Sequence, residues 1–472
     1  MPKRALISVS DKRGLPELGR KLQSLGWQII STGGTKSALE QANVSVTPVE
    51  EVTRFPESFS GRVKTLHPML LGGVLYCRGK KEHEHEAQSL GIEPIDLVVV
   101  NLYPFEAATT ETRAEGKEAP EELIELMDIG GSTLLRAGAK NHVSVTTLCD
   151  PDDYPKVLRE LEEHGETSLE CRRELAAKVF LHTAAYDAVI TECLSGGENT
   201  GVLLTHGLKL RYGENPHQWG KYYTIGKVGR KEWGEVLQGK EMSYLNILDA
   251  DAAWSAVQEF AEPTAVFVKH ANPSGIASHE NLEEAFQRAY DTDRMSAFGV
   301  IIALNRTCTE AIARNILDQN IFTEVIIAPA YVPEALMLLQ QKPNIRVIRQ
   351  EDGKTVQQHL CYRSVTGGML VQNADTRTVT EADLTCVTKR KPSPEQIRDM
   401  LFAWKAVKHA KSNAIVFASD LITVGIGCGQ TSRVDATWIA ARRAGGRAKG
   451  AVMASDAFFP FPDAVEEAAK HG

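Results

Sequence analysis

The sequence predicts an α/β fold built from more than one domain, and three observations support this. The chain has 472 residues, which is too long for a single hydrophobic core. From the N-terminus, short apolar runs alternate with helical patterns, and the apolar runs end in polar or glycine-rich turns. Because a succession of strand, helix and strand is typical of a parallel sheet, we expect one in the first half.

The composition limits the functions that the chain can have. Hydrophobic residues make up 43% and charged residues 24%, as in a globular protein. The formal net charge of −8 argues against a nucleic-acid partner, and a phosphate-bearing ligand would need locally placed cations. The sequence shows neither an N-terminal apolar leader nor a run long enough to span a membrane. The eight cysteines form no C-x-x-C pair, so we expect a reduced, cytoplasmic location.

Three apolar strands are expected in the first half, and each stops at polar residues. The strands begin at Arg4, Trp27 and Ile95. The segments that follow them are Ser10–Lys12, Ser31–Thr35 and Asn101–Phe105. In a parallel sheet such strand ends meet at one edge, where ligands bind.

Residues 106–201 are expected to contain a loop, two helices and a linker. The weakly patterned segment 106–122 suggests an exposed loop, and Asp128 precedes a helix that contains Arg136, Lys140 and His142. Residues 166–192 form a long helical pattern that leads into the glycine-rich stretch 195–201. We place the domain boundary there, which gives domains 1–197 and 198–472.

Polar residues of the first domain suggest a nucleotide-phosphate site. They fall at strand ends, in glycine turns and at helix starts: Ser10, Lys12, Thr32 to Thr35, Arg62, Lys64, Thr65, Asn101, Tyr103, Asp128 and Lys140. The N–H groups of a Gly-Gly-Thr turn that opens a helix suit phosphate, and Arg62 and Lys64 would add charge. Taken singly, the Gly-Gly turn could be only a turn, and Arg62 and Lys64 could lie on an exposed edge strand.

In the second domain the strand Ala265–Val268 ends in Lys269 and His270, before a turn. Lys269 must reach solvent or an anionic ligand, and the imidazole of His270 can move a proton near neutral pH. Asn413, just before the strand Ala414–Ala418, supplies an amide. A cation, a base and an amide together could hold an oxyanion and accept an amine proton. A Lys and a His that simply leave a core strand remain the alternative.

Three further patterns each have two interpretations. The alternating glycines Gly425, Gly427 and Gly429 could let a backbone approach a ligand or allow tight strand packing. The run Phe458–Phe461 could be core or an aromatic wall for a heterocycle. The segment Lys80–Glu86 could be a metal site, although its alternating charges favour a solvated helix or loop. No sequence repeat is evident.

In order along almost the whole chain, these motifs resemble the family of bifunctional purine biosynthesis proteins. That family joins an AICAR transformylase to an IMP cyclohydrolase. The segments that carry the resemblance are Ser8–Lys12, Ser31–Thr35, Arg62–Pro68, Asn101–Phe105, Asp128–Gly131, Leu134–His142, Leu210–Gln218, Lys269–Gly275 and Ser455–Phe461. The resemblance implies a methylglyoxal-synthase-like parallel-sheet domain followed by two cytidine-deaminase-like α/β subdomains. It further implies a cytoplasmic homodimer that uses 10-formyltetrahydrofolate as co-substrate and no catalytic metal.

The resemblance also implies roles for individual residues. In formyl transfer to AICAR, His270 would accept the amine proton while Lys269 and Asn413 stabilise the oxyanion. In closure of formyl-AICAR to IMP, Lys140 would shuttle a proton, assisted by Lys64, Tyr103 and Asp128. The implied nucleotide contacts of the first domain are Ser10, Asp11, Lys12, Thr32, Gly33, Gly34, Thr35, Arg62, Val63, Thr65, Asn101, Leu102 and Ile129. Those for AICAR in the second are Arg211, Tyr212, Gly299, Glu324, Arg433 and Phe458, with Val434 and Asp463 near the folate.

The chain departs from the family at its C-terminus. The family continues beyond the Phe-Phe-Pro-Phe run to an arginine-containing tail, whereas this chain stops at Gly472. A truncated sequence is one explanation. The alternative is that only the cyclohydrolase is active and the C-terminal domain is a nucleotide-binding or dimerisation module. Methylglyoxal synthase is a third hypothesis, which covers the first domain only.

Overall fold

The computed structural model describes residues 2–105, 109, 121–225, 234–350 and 360–472. The chain divides into two compact units, Met1–His206 with Thr224–Arg230, and Gly207–Tyr223 with Lys231–Gly472. Most of the loop predicted over 106–122 lies outside the described residues. No described helix has both the length and the apolar character needed to cross a membrane.

The first unit contains a parallel sheet in the order β3-β2-β1-β4-β5, which confirms the predicted parallel arrangement. Its strands are Arg4–Val9 (β1), Gln28–Ser31 (β2), Thr47–Pro48 (β3), Leu97–Asn101 (β4) and Thr146–Leu148 (β5). In register, Leu6 lies opposite Ile30 and Val98, and all three side chains are buried. Apolar side chains cover both faces of the sheet, as near-continuous apolar strands predict.

Helices connect these strands. They are Leu15–Ser24, Gly33–Gln41, Val49–Thr53, Pro68–Leu75, Lys81–Leu90, Glu121–Ile124, Ile129–Lys140, Tyr154–His164 and Leu169–Leu194, with 3₁₀ turns at Phe59–Gly61 and Pro151–Asp153. The predicted helix after Asp128 ends at Lys140, so the prediction was wrong in including His142, which lies in the following turn. The long helix starts at Leu169 because the Ser168 hydroxyl caps it by accepting a hydrogen bond from the Cys171 N–H at 3.2 Å.

The second unit contains a mixed nine-stranded sheet in the order β18-β16-β17-β10-β9-β11-β12-β13-β8, counted over the described residues. Its strands are Glu235–Gln238 (β8), Thr264–Lys269 (β9), Asn272–Ser278 (β10), Val300–Leu304 (β11), Thr323–Ala328 (β12), Arg346–Arg349 (β13), Ile415–Ser419 (β16), Ile422–Gly427 (β17) and Val452–Ser455 (β18). Two ribbons complete the strands: Leu204–Lys209 (β6) with Lys221–Ile225 (β7), and Leu360–Val365 (β14) with Gly368–Asn373 (β15).

The helices of the second unit cover its sheet. They are Tyr244–Val257, Leu282–Thr292, Glu310–Asp318, Pro333–Leu339, Pro394–Lys408, Arg433–Ala444 and Asp463–Ala469, with 3₁₀ turns at Glu381–Asp383 and Gly445–Ala448. Apolar clusters lie on its faces and include Trp254, Phe267 and Phe402. This single mixed sheet stands where the resemblance implies two subdomains, and their likeness to cytidine deaminase stays a prediction.

One arrangement occurs twice in this sheet. A helix, a hairpin and a second helix follow one another at Tyr244–Thr292, with the hairpin β9–β10, and again at Pro394–Ala444, with the hairpin β16–β17. The hairpin turns are His270–Ala271 and Asp420–Leu421, and all four turn residues have φ between 53° and 55°. The structure therefore shows a repeat that the sequence does not reveal.

Candidate functional site

The ends of β1 and β4 in the first unit are tied together by the side chain of Asn101. Its Oδ1 accepts hydrogen bonds from the N–H groups of Ser10 at 2.6 Å and Asp11 at 2.8 Å. The Ser10 hydroxyl in turn donates to the carbonyl of Leu102 at 2.7 Å. These four predicted residues lie together at the carboxyl edge of the sheet, where a parallel sheet binds ligands.

Lys12 and Thr35 join this edge to the neighbouring helix. Lys12 Nζ donates to the Thr35 hydroxyl at 3.1 Å and to the carbonyl of Val9. The Val9 N–H donates to the same hydroxyl at 3.0 Å. Burial lowers the pKa of Lys12. Lys12 therefore braces the start of the helix Gly33–Gln41 against β1.

The N-terminus of the helix Gly33–Gln41 is open. Thr32 precedes it, and the Thr32 side chain is only 7% exposed, yet its hydroxyl has no hydrogen-bond partner among the described residues. A Cβ added to Gly33 would lie 3.8 Å from Lys64 Nζ, and one added to Gly34 would meet open space. Free helical N–H groups, an unpartnered hydroxyl and an ammonium group together suit a phosphate.

Asp128 starts a second helix near this edge. Its Oδ1 accepts a hydrogen bond from the Gly131 N–H at 2.6 Å and caps the helix Ile129–Lys140. Burial raises the pKa of Asp128, although the Gly131 N–H opposes that rise. The Asp128 N–H donates to the Tyr186 hydroxyl at 2.8 Å. Thr65 packs against the same helix start, because a Cβ on Gly130 would lie 2.9 Å from the Thr65 hydroxyl.

Two predicted cations of the first unit are paired with carboxylates that sequence reasoning missed. Lys64 Nζ lies 2.9 Å from Glu57 Oε1, and both side chains are about one-third exposed. Arg62 forms an exposed ion pair with Glu125. A ligand phosphate at the helix start would therefore compete with Glu57 for Lys64.

Lys140 lies at the opposite end of its helix from Asp128. Lys140 is exposed at the last position of the helix that Asp128 caps. At 1.5 Å per residue, about 17 Å of helix separates Lys140 from the Asp128 end. Tyr103 and Ile129 are exposed near the carboxyl edge, and Val63 is half-buried.

In the second unit the strand register brings the predicted residues to one edge of the sheet. The pairings of Val268 with Ile301, Val300 with Thr323 and Val325 with Arg346 align Lys269, Gly299 and Glu324 along this edge. Ile415 pairs with Gly427 and Ser455, which places Asn413 at the same edge. The antiparallel pairing of Ala277 with Ile422 directs Asn272 and Gly427 there as well.

Lys269 is held by two backbone carbonyls. Its Nζ donates to the carbonyl of Phe298 at 2.5 Å and to that of Gly299 at 3.2 Å. Gly299 has φ 69°, and a Cβ there would lie 3.1 Å from Lys269 Nζ. A side chain at position 299 would therefore be strained and would crowd the ammonium group.

His270 stands at the tip of the hairpin, and Asn272 ties its turn to a distant loop. Asn272 Nδ2 donates to the His270 carbonyl at 2.9 Å, and Asn272 Oδ1 accepts from the Lys411 N–H at 2.9 Å. Asn413 lies two residues beyond Lys411. Sequence reasoning missed Asn272, although it follows Lys269 and His270 in the same motif.

Asn413, Arg433 and Asp456 form one hydrogen-bonded cluster. Arg433 donates to Asn413 Oδ1 at 2.8 Å, to the Ser455 hydroxyl at 2.9 Å and to Asp456. Burial alone would raise the pKa of Asp456, but hydrogen bonds from Ser412, Ala414 and Arg433 lower it overall. Asn413 Nδ2 donates to the carbonyl of Gln430 at 3.0 Å, so in this arrangement the Asn413 amide orients Arg433.

Glu324 is held by Arg346, which sequence reasoning also missed. Arg346 is 2% exposed, and its Nη1 lies 2.8 Å from Glu324 Oε2. Burial lowers the pKa of Arg346, which Glu324 opposes and the nearby Arg211 reinforces. Arg211 lies over the ring of Tyr212 at 4.9 Å. Arg211, Tyr212 and Glu324 are therefore neighbours, as a shared ligand would require.

The remaining predicted residues of this unit lie near the cluster in sequence. Phe458 follows Asp456 closely and is exposed. Val434 is half-buried in the first turn of the helix Arg433–Ala444, and Asp463 is exposed at the start of the helix Asp463–Ala469.

The alternating glycines are explained mainly by packing. A Cβ on Gly425 would overlap the carbonyl oxygen of Ala440, and one on Gly427 would overlap that of Ala436. Both carbonyls belong to the helix Arg433–Ala444, which lies directly against β17. Only Gly429, with φ 69°, faces open space. The described residues contain no group of three or more His, Cys, Asp or Glu side chains that could hold a metal ion.

Comparison with known proteins adds the family. The model of the AICARFT/IMPCHase bienzyme matches residues 138–443, and that of the MGS-like domain matches residues 14–133. The bifunctional purine biosynthesis protein PurH of Bacillus subtilis (strain 168) is 49% identical over 478 residues, covering 100% of this chain and 92% of the relative. PurH of Bacillus cereus (strain B4264) is 48% identical over 480 residues, covering 100% and 93%. The crystal structure of ForH is 34% identical over 42% of this chain and 99% of that chain, and its TM-score of 0.37 supports no conclusion.

Proposed function

Because the chain belongs to the AICARFT/IMPCHase bienzyme family, we propose that it catalyses two consecutive steps of purine synthesis. The first is transfer of the formyl group from 10-formyltetrahydrofolate to AICAR, which gives formyl-AICAR and tetrahydrofolate. The second is closure of formyl-AICAR to IMP with loss of water. The full-length match at 49% identity is the observation that carries this proposal, since it spans both matched family models.

We assign formyl transfer to the edge of the nine-stranded sheet, within the proposed domain 198–472. The AICAR amine attacks the formyl carbon, and the His270 imidazole accepts the proton that the amine loses. The ammonium group of Lys269 stabilises the oxyanion that forms, and the folate nitrogen leaves with a proton. Arg433, oriented by Asn413, and the group of Arg211, Tyr212 and Glu324 would bind AICAR, with Phe458 beside it. Val434 and Asp463 are proposed to contact the folate.

Ring closure is assigned to the carboxyl edge of the parallel sheet, within the proposed domain 1–197. The nucleotide phosphate would bind at the open start of the helix Gly33–Gln41, beside Thr32 and Lys64. The reaction is intramolecular, so most of the acceleration can come from holding the carboxamide nitrogen against the formyl carbon. Asp128 and Tyr103 flank this edge. Lys64 is better placed for direct contact than Lys140, which the resemblance implies as proton shuttle.

An assay with two starting substrates tests the proposal. Purified protein should form IMP from AICAR with 10-formyltetrahydrofolate, and also from supplied formyl-AICAR. His270→Asn should strongly reduce only the first reaction, and Asn suits the left-handed backbone at this position. Lys64→Ala should slow only the second, and Lys140→Ala, which tests the proposed proton shuttle, should abolish ring closure and spare formyl transfer. If IMP forms only from supplied formyl-AICAR, the transformylase half of the proposal is wrong.

Three further predictions accompany this scheme. The steps rely on side chains, so addition of EDTA should leave both rates unchanged. The homodimer and the cytoplasmic location remain expectations from the resemblance, and sedimentation of the purified protein tests the first. Turnover of dihydroxyacetone phosphate would instead support the methylglyoxal synthase hypothesis for the first unit.

A further inference from the structure

The His270 side chain has no support of its own. It is exposed, and among the described residues no hydrogen bond to its ring is found, whereas Lys269 is fixed by two carbonyls. The position of the imidazole therefore depends on the backbone of the turn. That backbone is unusual, because His270 and Ala271 both have left-handed φ values, of 53° and 54°. Such a conformation is unfavourable for residues with a side chain, so another group must hold it.

The carboxylate of Asp249 is that group. Asp249 lies on the helix Tyr244–Val257, and its Oδ1 accepts a hydrogen bond from the Ala271 N–H at 2.8 Å. It is 8% exposed, and burial raises its pKa, which hydrogen bonds from the turn backbone and the charges of His270 and Lys269 oppose. A carboxylate that accepts backbone N–H groups in a buried setting makes strong hydrogen bonds.

The second helix–hairpin–helix arrangement, Pro394–Ala444, contains a matching buried aspartate, but its hairpin turn carries no lysine or histidine. Asp399 lies on the helix Pro394–Lys408 and accepts hydrogen bonds from the N–H groups of Asp420 at 2.9 Å and Leu421 at 3.0 Å. Its exposed fraction is 9%, against 8% for Asp249. Both helices begin with a capping box, at Ser243 and at Ser393, and each aspartate follows its capping serine by the same number of residues. The two aspartates are thus matched in place and burial.

We infer that Asp249 is a positioning residue for formyl transfer, which acts by fixing the turn that carries His270. Asp249 touches neither substrate in this account, and the inference rests on the proposed role of His270. Asp399 has only a structural role, because the turn that it holds lies at the opposite edge of the sheet from Lys269. The carbonyl of Leu421 there accepts a hydrogen bond from the N–H of Ser278, at the far end of β10 from Asn272.

Matched variants of the two aspartates test the inference. Asp249→Ala and Asp399→Ala should lower the thermal midpoint of the full-length protein by similar amounts. Only Asp249→Ala should reduce kcat for formyl transfer, by about tenfold to a hundredfold, as expected for a displaced catalytic group. The KM for AICAR should change much less than kcat, because no binding group is removed. Asp249→Asn keeps an oxygen for the Ala271 N–H and should recover part of the rate.

Ring closure from supplied formyl-AICAR, measured on the same preparations, reports the amount of intact first unit, and a cooperative thermal transition with native near-UV circular dichroism reports whether the second unit of each variant is folded. Should the alanine variants fail to fold, the pair Asp249→Asn and Asp399→Asn makes the same comparison. Equal losses of kcat in the Asp249 and Asp399 variants, or a wild-type kcat in Asp249→Ala, would overturn the inference alone. A wild-type transfer rate in His270→Asn would instead overturn the proposed role of His270, and the inference with it.

Discussion

The turns His270–Ala271 and Asp420–Leu421 have nearly identical φ angles, but the side chains of His270 and Asp420 differ in their partners. Asp420 is paired with Arg288 at 3.0 Å and with Arg398 at 3.6 Å, so its charge is compensated. The His270 ring has no hydrogen-bond partner among the described residues, although its turn is held just as firmly. A firmly held backbone that carries an unpaired titratable side chain is what a general base requires.

This comparison shows that the backbone arrangement around each hairpin turn is the same whether or not the turn carries a lysine and a histidine. Both halves keep the capped helix, the buried aspartate and glycines packed against the following helix. Only the turn at one edge carries a lysine and a histidine. The proposed formyl transfer would therefore depend on a few side chains that one of two repeated backbone arrangements carries, as is general for protein folds.

The largest expected effect comes from the turn residues themselves. His270→Asn should reduce formyl transfer by about 10²–10⁴-fold, because a general base is lost. Asp420→Asn, in the matching turn, should change the rate by no more than about twofold, as for a surface substitution away from the site. Both variants keep a residue that tolerates left-handed φ. Steady-state rates with AICAR and 10-formyltetrahydrofolate check this, and a large loss in Asp420→Asn would contradict the separation of the two edges.

Substitution of a glycine in either hairpin should destabilise the second unit to a similar extent, because each glycine packs against the helix that follows its hairpin. A Cβ on Gly275 would overlap the carbonyl oxygen of Ala289, just as one on Gly425 would overlap that of Ala440. Each Gly→Ala change should lower the free energy of unfolding of the second unit by about 3 kcal/mol, since neither helix can move freely. Denaturant titration measures this. Gly446→Ala, where a Cβ meets open space, is the control and should be nearly neutral.

The sequence predicted which residues lie at the edges of the two sheets better than it predicted the residues that hold them in place. The polar ends of β1 and β4 were predictable because parallel strands bring their carboxyl ends to one edge. Lys269, His270 and Asn413 were identifiable from a charged or amide group next to an apolar run. Lys140 lies a full helix away from Asp128, and its role as proton shuttle stays a prediction.

The residues that sequence reasoning missed act through the backbone or through another side chain. Asp249 lies inside an ordinary helix, and Arg346 opens a strand that would be expected to be apolar. Their partners are separated from them by 22 residues in sequence, so no local pattern reveals the contact. A buried aspartate on the apolar face of a helix was the one signal that could have directed attention to Asp249.

Asn272 should have an intermediate effect, because it joins the His270 turn to the loop that carries Asn413. Asn272→Ala removes both hydrogen bonds and should lower kcat for formyl transfer by about tenfold, through displacement of the two groups. The matching position in the other hairpin is Ile422. Ile422→Val should cost about 1 kcal/mol of stability and leave the transfer rate unchanged. A wild-type rate in Asn272→Ala would show that the loop is held in place by other contacts.

The smallest expected effect concerns Glu259, which follows the helix Tyr244–Val257 and contacts the end of the helix Pro394–Lys408 in the second arrangement. Glu259 accepts from Lys408 at 2.8 Å and from His409 at 3.2 Å, and Lys408 also lies 3.9 Å from Asp375. Burial alone would raise the pKa of Glu259, but the hydrogen bonds from His409 and Lys408 lower it overall from 4.5. The stabilisation is therefore fully present above pH 4.5 and is lost as the pH falls through the lowered pKa.

Glu259→Gln should accordingly reduce the free energy of unfolding by about 1 kcal/mol at neutral pH, since one charge-assisted pair of hydrogen bonds is weakened. The difference from the wild type should shrink below pH 4.5, because the wild-type carboxylate is then protonated as well. Denaturant titrations at a series of pH values measure it, with the exposed Glu280→Gln as control. A difference that persists undiminished in acid would contradict this prediction, because it would show that the stabilisation by Glu259 does not depend on the charge of its carboxylate.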